Sequence, residues 1–174
     1  MKSKKYWLIP LILTAAAGIV LLKNNLAPAS SAYEGCAYTW AYHDAPALTE
    51  KFSKLVSDLD PNATARASLY GEDCAYADGH ADFHVMETDF YVRLPVKDLT
   101  AEEAFGNWMA RVLQAVVKIP REELQGNYGV VEFLFEKSAT EYAILRVPIQ
   151  VYMDQARGKS GVELYRLFSK AAPY

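Results

Sequence analysis

Five side chains able to ligate a metal or move a proton fall within twelve residues: Asp73, Asp78, His80, Asp82 and His84. Neutral imidazole and carboxylate are suitable ligands for a divalent ion. His80, Asp82 and His84 stand at i, i+2 and i+4, so an extended strand would place all three on one face. Such a trio could hold an ion with room for a water, and Glu87 close by could act as a base. That arrangement is the signature of a metal-dependent hydrolase. The competing reading is a core histidine, because His84 would share its face with Met86 and Phe90. His80 and Asp82 then belong to a solvated loop. This second reading is the expectation, with no metal and no cofactor.

Glu87 and Asp89 form a second constellation, two apart on one strand face, as an acid–base pair requires. Solvated strand-edge charges lying opposite Arg66 or Arg93 are the expected reading of them instead. His43 beside Asp44 reads as the start of a helix, with Asp44 as its cap. Nucleophilic catalysis lacks a G-x-S-x-G elbow, and the nine glycines form no phosphate-binding loop. Tyr38, Trp40 and Tyr42 are candidates for an aromatic platform, although packing onto a sheet is the ordinary use of such residues. Asn62-Ala63-Thr64 is a glycan acceptor only in a host with that machinery.

These residues depend on a strand. Phe83 to Leu94 alternates, with His84, Met86, Thr88, Phe90, Val92 and Leu94 expected on the core side. Gly71 to Asp82 reads as a polar loop, and Thr64 to Gly71 as a strand before it. A helix is expected from Pro46 to Leu59, carrying Leu48, Phe52, Leu55, Val56 and Leu59 as one stripe. A second follows the capping box Thr100-x-x-Glu103, with Phe105, Trp108, Met109, Val112, Leu113, Val116 and Val117 turned inward. Tyr128–Glu136 and Tyr142–Val147 read as a hairpin. Ile149–Phe168 reads as a helix interrupted at Gly158, with a further capping box at Ser160-x-x-Glu163.

The fold expected is α+β: an antiparallel sheet of about four strands in two hairpins, with two to three helices mainly on one face. Tyr33–His43 is expected as coil. As a strand it would complete a ferredoxin-like order in which the first two strands run parallel. Parallel strands would carry Cys36 and Cys74 too far apart for the disulfide expected between them.

The first 32 residues read as an export signal or signal anchor. Lys2, Lys4 and Lys5 precede an apolar run of about 17 residues, Tyr6 to Leu22, and small residues follow. That length is at the short limit for a hydrocarbon core of about 30 Å. Positive charge at the front places the N-terminus in the cytoplasm and residues 33–174 outside, as one domain. Four of the 18 basic residues and none of the 21 acidic ones lie in this segment, leaving 14 against 21, a net charge of −7. An acidic exported domain has no footprint for nucleic acid. Two cysteines in an oxidising compartment most simply pair, Cys36 with Cys74. The expectation is therefore an exported or membrane-anchored envelope domain, contacting the membrane only through its N-terminal helix. A binding or accessory role is expected over an enzymatic one.

Overall fold

The computed structural model describes residues 35–170. Residues 1–32, read from the sequence as an export signal or anchor, lie outside the described residues. Among the described residues, no helix is long and apolar enough to cross a membrane.

The fold is α+β; among the described residues there are five strands in sequential spatial order and four α-helices. The strands are β1 (Ala37–Asp44), β2 (Thr64–Ala75), β3 (Ala81–Pro95), β4 (Asn127–Glu136) and β5 (Tyr142–Pro148). The helices are α1 (Pro46–Leu59), α2 (Glu102–Val116), α3 (Ile149–Val151) and α4 (Gly161–Ser169), with a π-turn at Tyr152–Ala156 after α3.

The sheet is mixed, which corrects the antiparallel expectation. β3 and β4 run parallel, while the other three neighbouring pairs are antiparallel. Parallel neighbours need a long crossover, and α2 with its flanking loops supplies it. Ala37–Asp44 is a strand and not coil, since its ladder with β2 runs from Ala37–Ala75 to Asp44–Ser68. α1 returns the chain so that β2 runs antiparallel to β1, and the two cysteines meet with Cα atoms 5.2 Å apart. The disulfide Cys36–Cys74 thus excludes only the parallel arrangement, not the strand.

β1 stops at Ser68, which leaves the outer backbone of Ala65 and Ala67 without a strand partner. Buried backbone groups need one, and α1 provides it. Thr49 Oγ1 donates to the Ala67 carbonyl at 3.0 Å and accepts from the Ala67 N–H at 2.9 Å. Ser53 Oγ donates to the Ala65 carbonyl at 2.6 Å. A helix therefore covers the part of the edge that β1 leaves open.

The core lies between one sheet face and the helices. Phe52 and Val56 of α1, and Phe105, Trp108, Met109, Val112, Leu113 and Val116 of α2, meet Phe90, Val92, Val131, Phe133 and Phe135. Both expected stripes are therefore the buried ones. The capping boxes do not form. Thr100 donates its hydroxyl to Asp98, and the Ser160 side chain makes no cap bond. Glu103 instead reaches across to α4, where its Oε2 accepts from the Val162 N–H at 3.0 Å. A carboxylate at a helix N-terminus meets unpaired N–H groups and the positive end of the dipole. Gly106 makes this approach possible, because a Cβ there would lie 1.8 Å from the Gly161 carbonyl oxygen.

Candidate functional site

The expected loop Gly71–Asp82 is largely strand, since β2 continues to Ala75 and β3 begins at Ala81. Tyr70 pairs with Glu87 and Gly71 with Val85, so Met86 is an extra residue on β3. Such a bulge reverses the inward and outward faces beyond it. Thr88, Phe90, Val92 and Leu94 face the core as the alternation predicts. Past the bulge, Phe83 and Val85 pack against the core instead, while His84 is exposed. His84 is accordingly not a core histidine.

His80 sits in the turn, its Nδ1 2.5 Å from Asp78 Oδ1 and its ring stacked 4.1 Å from that of Tyr76. Asp82 lies opposite Cys74 in the ladder, and His84 opposite Glu72. Asp73 is drawn off to His43, whose Nε2 is 3.1 Å from its Oδ1 and whose ring stacks 3.8 Å from that of Phe83. Asp44 ends β1 and caps nothing, the N-cap of α1 being Ala45. Among the described residues, no group of three His, Cys, Asp or Glu side chains gathers at metal-holding distance.

The geometry of interest lies elsewhere, on the sheet face away from the helices. Strand alternation and the ladders place Tyr42 (β1), Ser68 and Tyr70 (β2), Glu87, Asp89 and Tyr91 (β3), Glu132 (β4) and Arg146 (β5) on this face. A cleft of about 300 Å³ there is lined by Tyr42, Tyr70, Glu87, Asp89, Tyr91 and Arg146, with Val130 and Pro148.

Asp89 is its most constrained member. It is only 5 % exposed, so the expectation of a solvated strand charge fails for it. Thr88 pairs with Tyr128 but Phe90 with Val131, leaving Gly129 and Val130 as a bulge beside Asp89. The freed Val130 N–H donates to Asp89 Oδ1 at 2.9 Å. A Cβ on Gly129 would lie 2.0 Å from that oxygen, so glycine is needed for the carboxylate to fit. Burial pushes the Asp89 carboxyl above its ordinary range, against the Val130 N–H and Arg146, which favour the ion; Glu132 adds to the rise. Burial, then the charge of Asp89, raises Glu87 as well. The phenols of Tyr91 and Tyr42 are raised, first by burial. Ser68 Oγ is buried with no partner in hydrogen-bonding geometry among the described residues. It neighbours the Tyr91 hydroxyl closely enough to offset part of that phenol's shift.

Cations on this face are largely engaged already. Arg146 Nε donates to Glu132 at 2.7 Å, and Arg93 pairs with Glu136. The Arg66 guanidinium sits 3.8 Å above the centre of the Tyr91 ring. Along the sheet edge, Tyr38, Trp40 and Tyr42 are 60–67 % exposed. Trp40 stacks on Tyr70 at 5.7 Å, and Tyr42 meets the same ring at 4.9 Å. The aromatic platform thus exists as packing between neighbouring strands, with its outer surface in solvent.

A carboxyl raised by burial destabilises the fold where it is ionised. Its folded pKa exceeds the unfolded one, so its favourable contribution is complete below the unfolded pKa and is lost as pH rises through the folded pKa. Asp89→Asn keeps an oxygen for the Val130 N–H and carries no charge. The variant is expected to unfold at a higher denaturant midpoint than the parent at neutral pH, with the gap narrowing on acidification. Denaturation curves at several pH values check this, and a lower midpoint for the variant at neutral pH would refute it.

Neither the family models, nor the curated proteins, nor the solved structures offer a match to this chain.

Proposed function

We propose that this protein is an exported or membrane-anchored envelope accessory module that binds a ligand on the sheet face opposite the described helices. One observation carries the reading: a buried carboxylate, Asp89, lies in a cleft beside solvent-exposed Trp40 and Tyr42. Carboxylates desolvated in clefts are concentrated at functional sites, and exposed aromatic rings next to them supply contact area at low entropic cost. The Cys36–Cys74 bridge is consistent with an oxidising compartment. The charges on the face are mostly paired within it, and the aromatic strip lies at the edge. That distribution suits holding a ligand better than turning one over.

Hydroxyl-radical footprinting of intact cells against the purified full-length protein tests this without knowledge of the ligand. Trp40 and Tyr42 are expected to be protected in the cell envelope and labelled in the purified protein. Tyr142 and Ile144, exposed on β5, report general accessibility. Equal labelling of Trp40 and Tyr42 in both settings would contradict a ligand on this face.

A further inference from the structure

The geometry points to a small molecule with an alkylammonium group as the ligand of the Tyr42–Tyr70–Asp89 cleft, an assignment that rests on the binding role of this face. Two features converge on that chemistry. First, the cleft holds two carboxylates, Glu87 and Asp89, beside a single lining cation, Arg146, whose Nε is bonded to a third carboxylate, Glu132, so acidic charge exceeds basic there. Second, its walls are the phenol rings of Tyr42, Tyr70 and Tyr91, and a ring face attracts a cation. The protein already uses one of these rings so, with Arg66 seated over Tyr91.

The volume, about 300 Å³, is at the lower end for small-molecule sites and limits the ligand to a compact amine. The charged and titratable groups around Asp89 are Tyr42 from β1, Arg66 and Tyr70 from β2, Glu87 and Tyr91 from β3, Glu132 from β4 and Arg146 from β5. A cation beside Asp89 favours its ionised form, so binding strengthens as pH rises through the range in which the two carboxyls lose their protons.

Calorimetric titration of the full-length protein with n-butylammonium, and with butan-1-ol as the neutral counterpart, is the test. Saturable binding of the ammonium and none of the alcohol is expected, with affinity increasing from acid to neutral pH. Asp89→Asn should weaken binding about tenfold or more, the scale of a lost charged hydrogen bond. Equal binding of alcohol and ammonium, or undiminished ammonium binding in Asp89→Asn, would overturn the assignment. Failure of the ammonium to bind while Trp40 and Tyr42 remain protected in cells would overturn it too, and would leave the binding face standing with a different ligand.

Discussion

Replacing Trp108 by alanine is expected to lower stability by about 3–5 kcal/mol, the range for removing a large aromatic side chain from a packed core. Trp108 is 7 % exposed in the middle of α2 and meets Phe133 and Phe135 edge-on, with ring centres 6.0 and 6.3 Å away. Phe105 of the same helix also stacks on Phe135, with ring centres 4.1 Å apart, so the cavity would open between the helix layer and the sheet. One feature moves the expectation toward the lower end: the indole Nε1 has no hydrogen-bond partner among the described residues, and truncation removes that unpaired donor. Glu102→Ala at the start of the same helix is the comparison. Glu102 accepts from Arg166 Nε at 2.7 Å on the surface, and such a pair contributes no more than about 1 kcal/mol. Equilibrium denaturation of both variants measures the contrast. Similar midpoints would show that Trp108 does not hold the helix layer to the sheet.

Replacing Cys36 by serine is expected to cost about 2–5 kcal/mol. The bridge joins residues 38 apart, a closure whose entropic contribution is roughly 4 kcal/mol by loop length. Its structural role is specific. β1 is exposed along nearly its whole length, with Ala41 alone half-buried, so little apolar burial holds it to the sheet. The backbone ladder to β2 and the disulfide at its start do that. Losing the bridge should therefore loosen β1 first, and with it the stacking of Trp40 and Tyr42 on Tyr70. The expected signature is a lower unfolding midpoint and greater radical labelling of Trp40. Mass measurement after alkylation without reductant checks the bridge itself, since two alkylated cysteines would contradict it.

Much of this fold was legible locally. The stripes around Phe52 and Trp108 were, because helical spacing needs no knowledge of the rest of the chain. The same holds for Thr88 to Leu94, where a period of two survives. It fails at Met86, because a bulge is a property of two paired strands, and β2 alone shows no sign of it. β1 was obscured because a strand there was tied to a parallel pairing with β2 that the Cys36–Cys74 bridge forbids, although Tyr38, Trp40 and Tyr42 at every second position were the trace of it. The parallel register of β3 and β4 is imposed by the α2 crossover rather than by either strand's composition.

The candidate site shows the same division. Glu87 and Asp89 stood out by spacing, but nothing near them in sequence tells that Asp89 is buried. That depends on Gly129 and Val130, about forty positions further on. Gly129 within the β-branched and aromatic run YGVVEFLFE was a usable signal, since glycine inside a strand marks a bulge or a close approach. Tyr42, Tyr70 and Arg146 join the cleft only through strand pairing. Conversely, the run from Asp73 to His84 looked dense because its residues are neighbours in sequence, and the hairpin then sends them to different partners.

Most directly at stake is the withdrawal of Asp89 from water on the sheet face opposite the described helices. Carboxyl carbon NMR of the purified full-length protein, followed across the acid range, reads the ionisation of that one side chain. The structure predicts an Asp89 carboxyl that loses its proton above the ordinary aspartate range. It also predicts that the amide of Val130 shifts in step, since the two are hydrogen-bonded. An Asp89 that titrates at or below the ordinary range, with Val130 indifferent to it, would contradict the buried carboxylate on which the cleft is built.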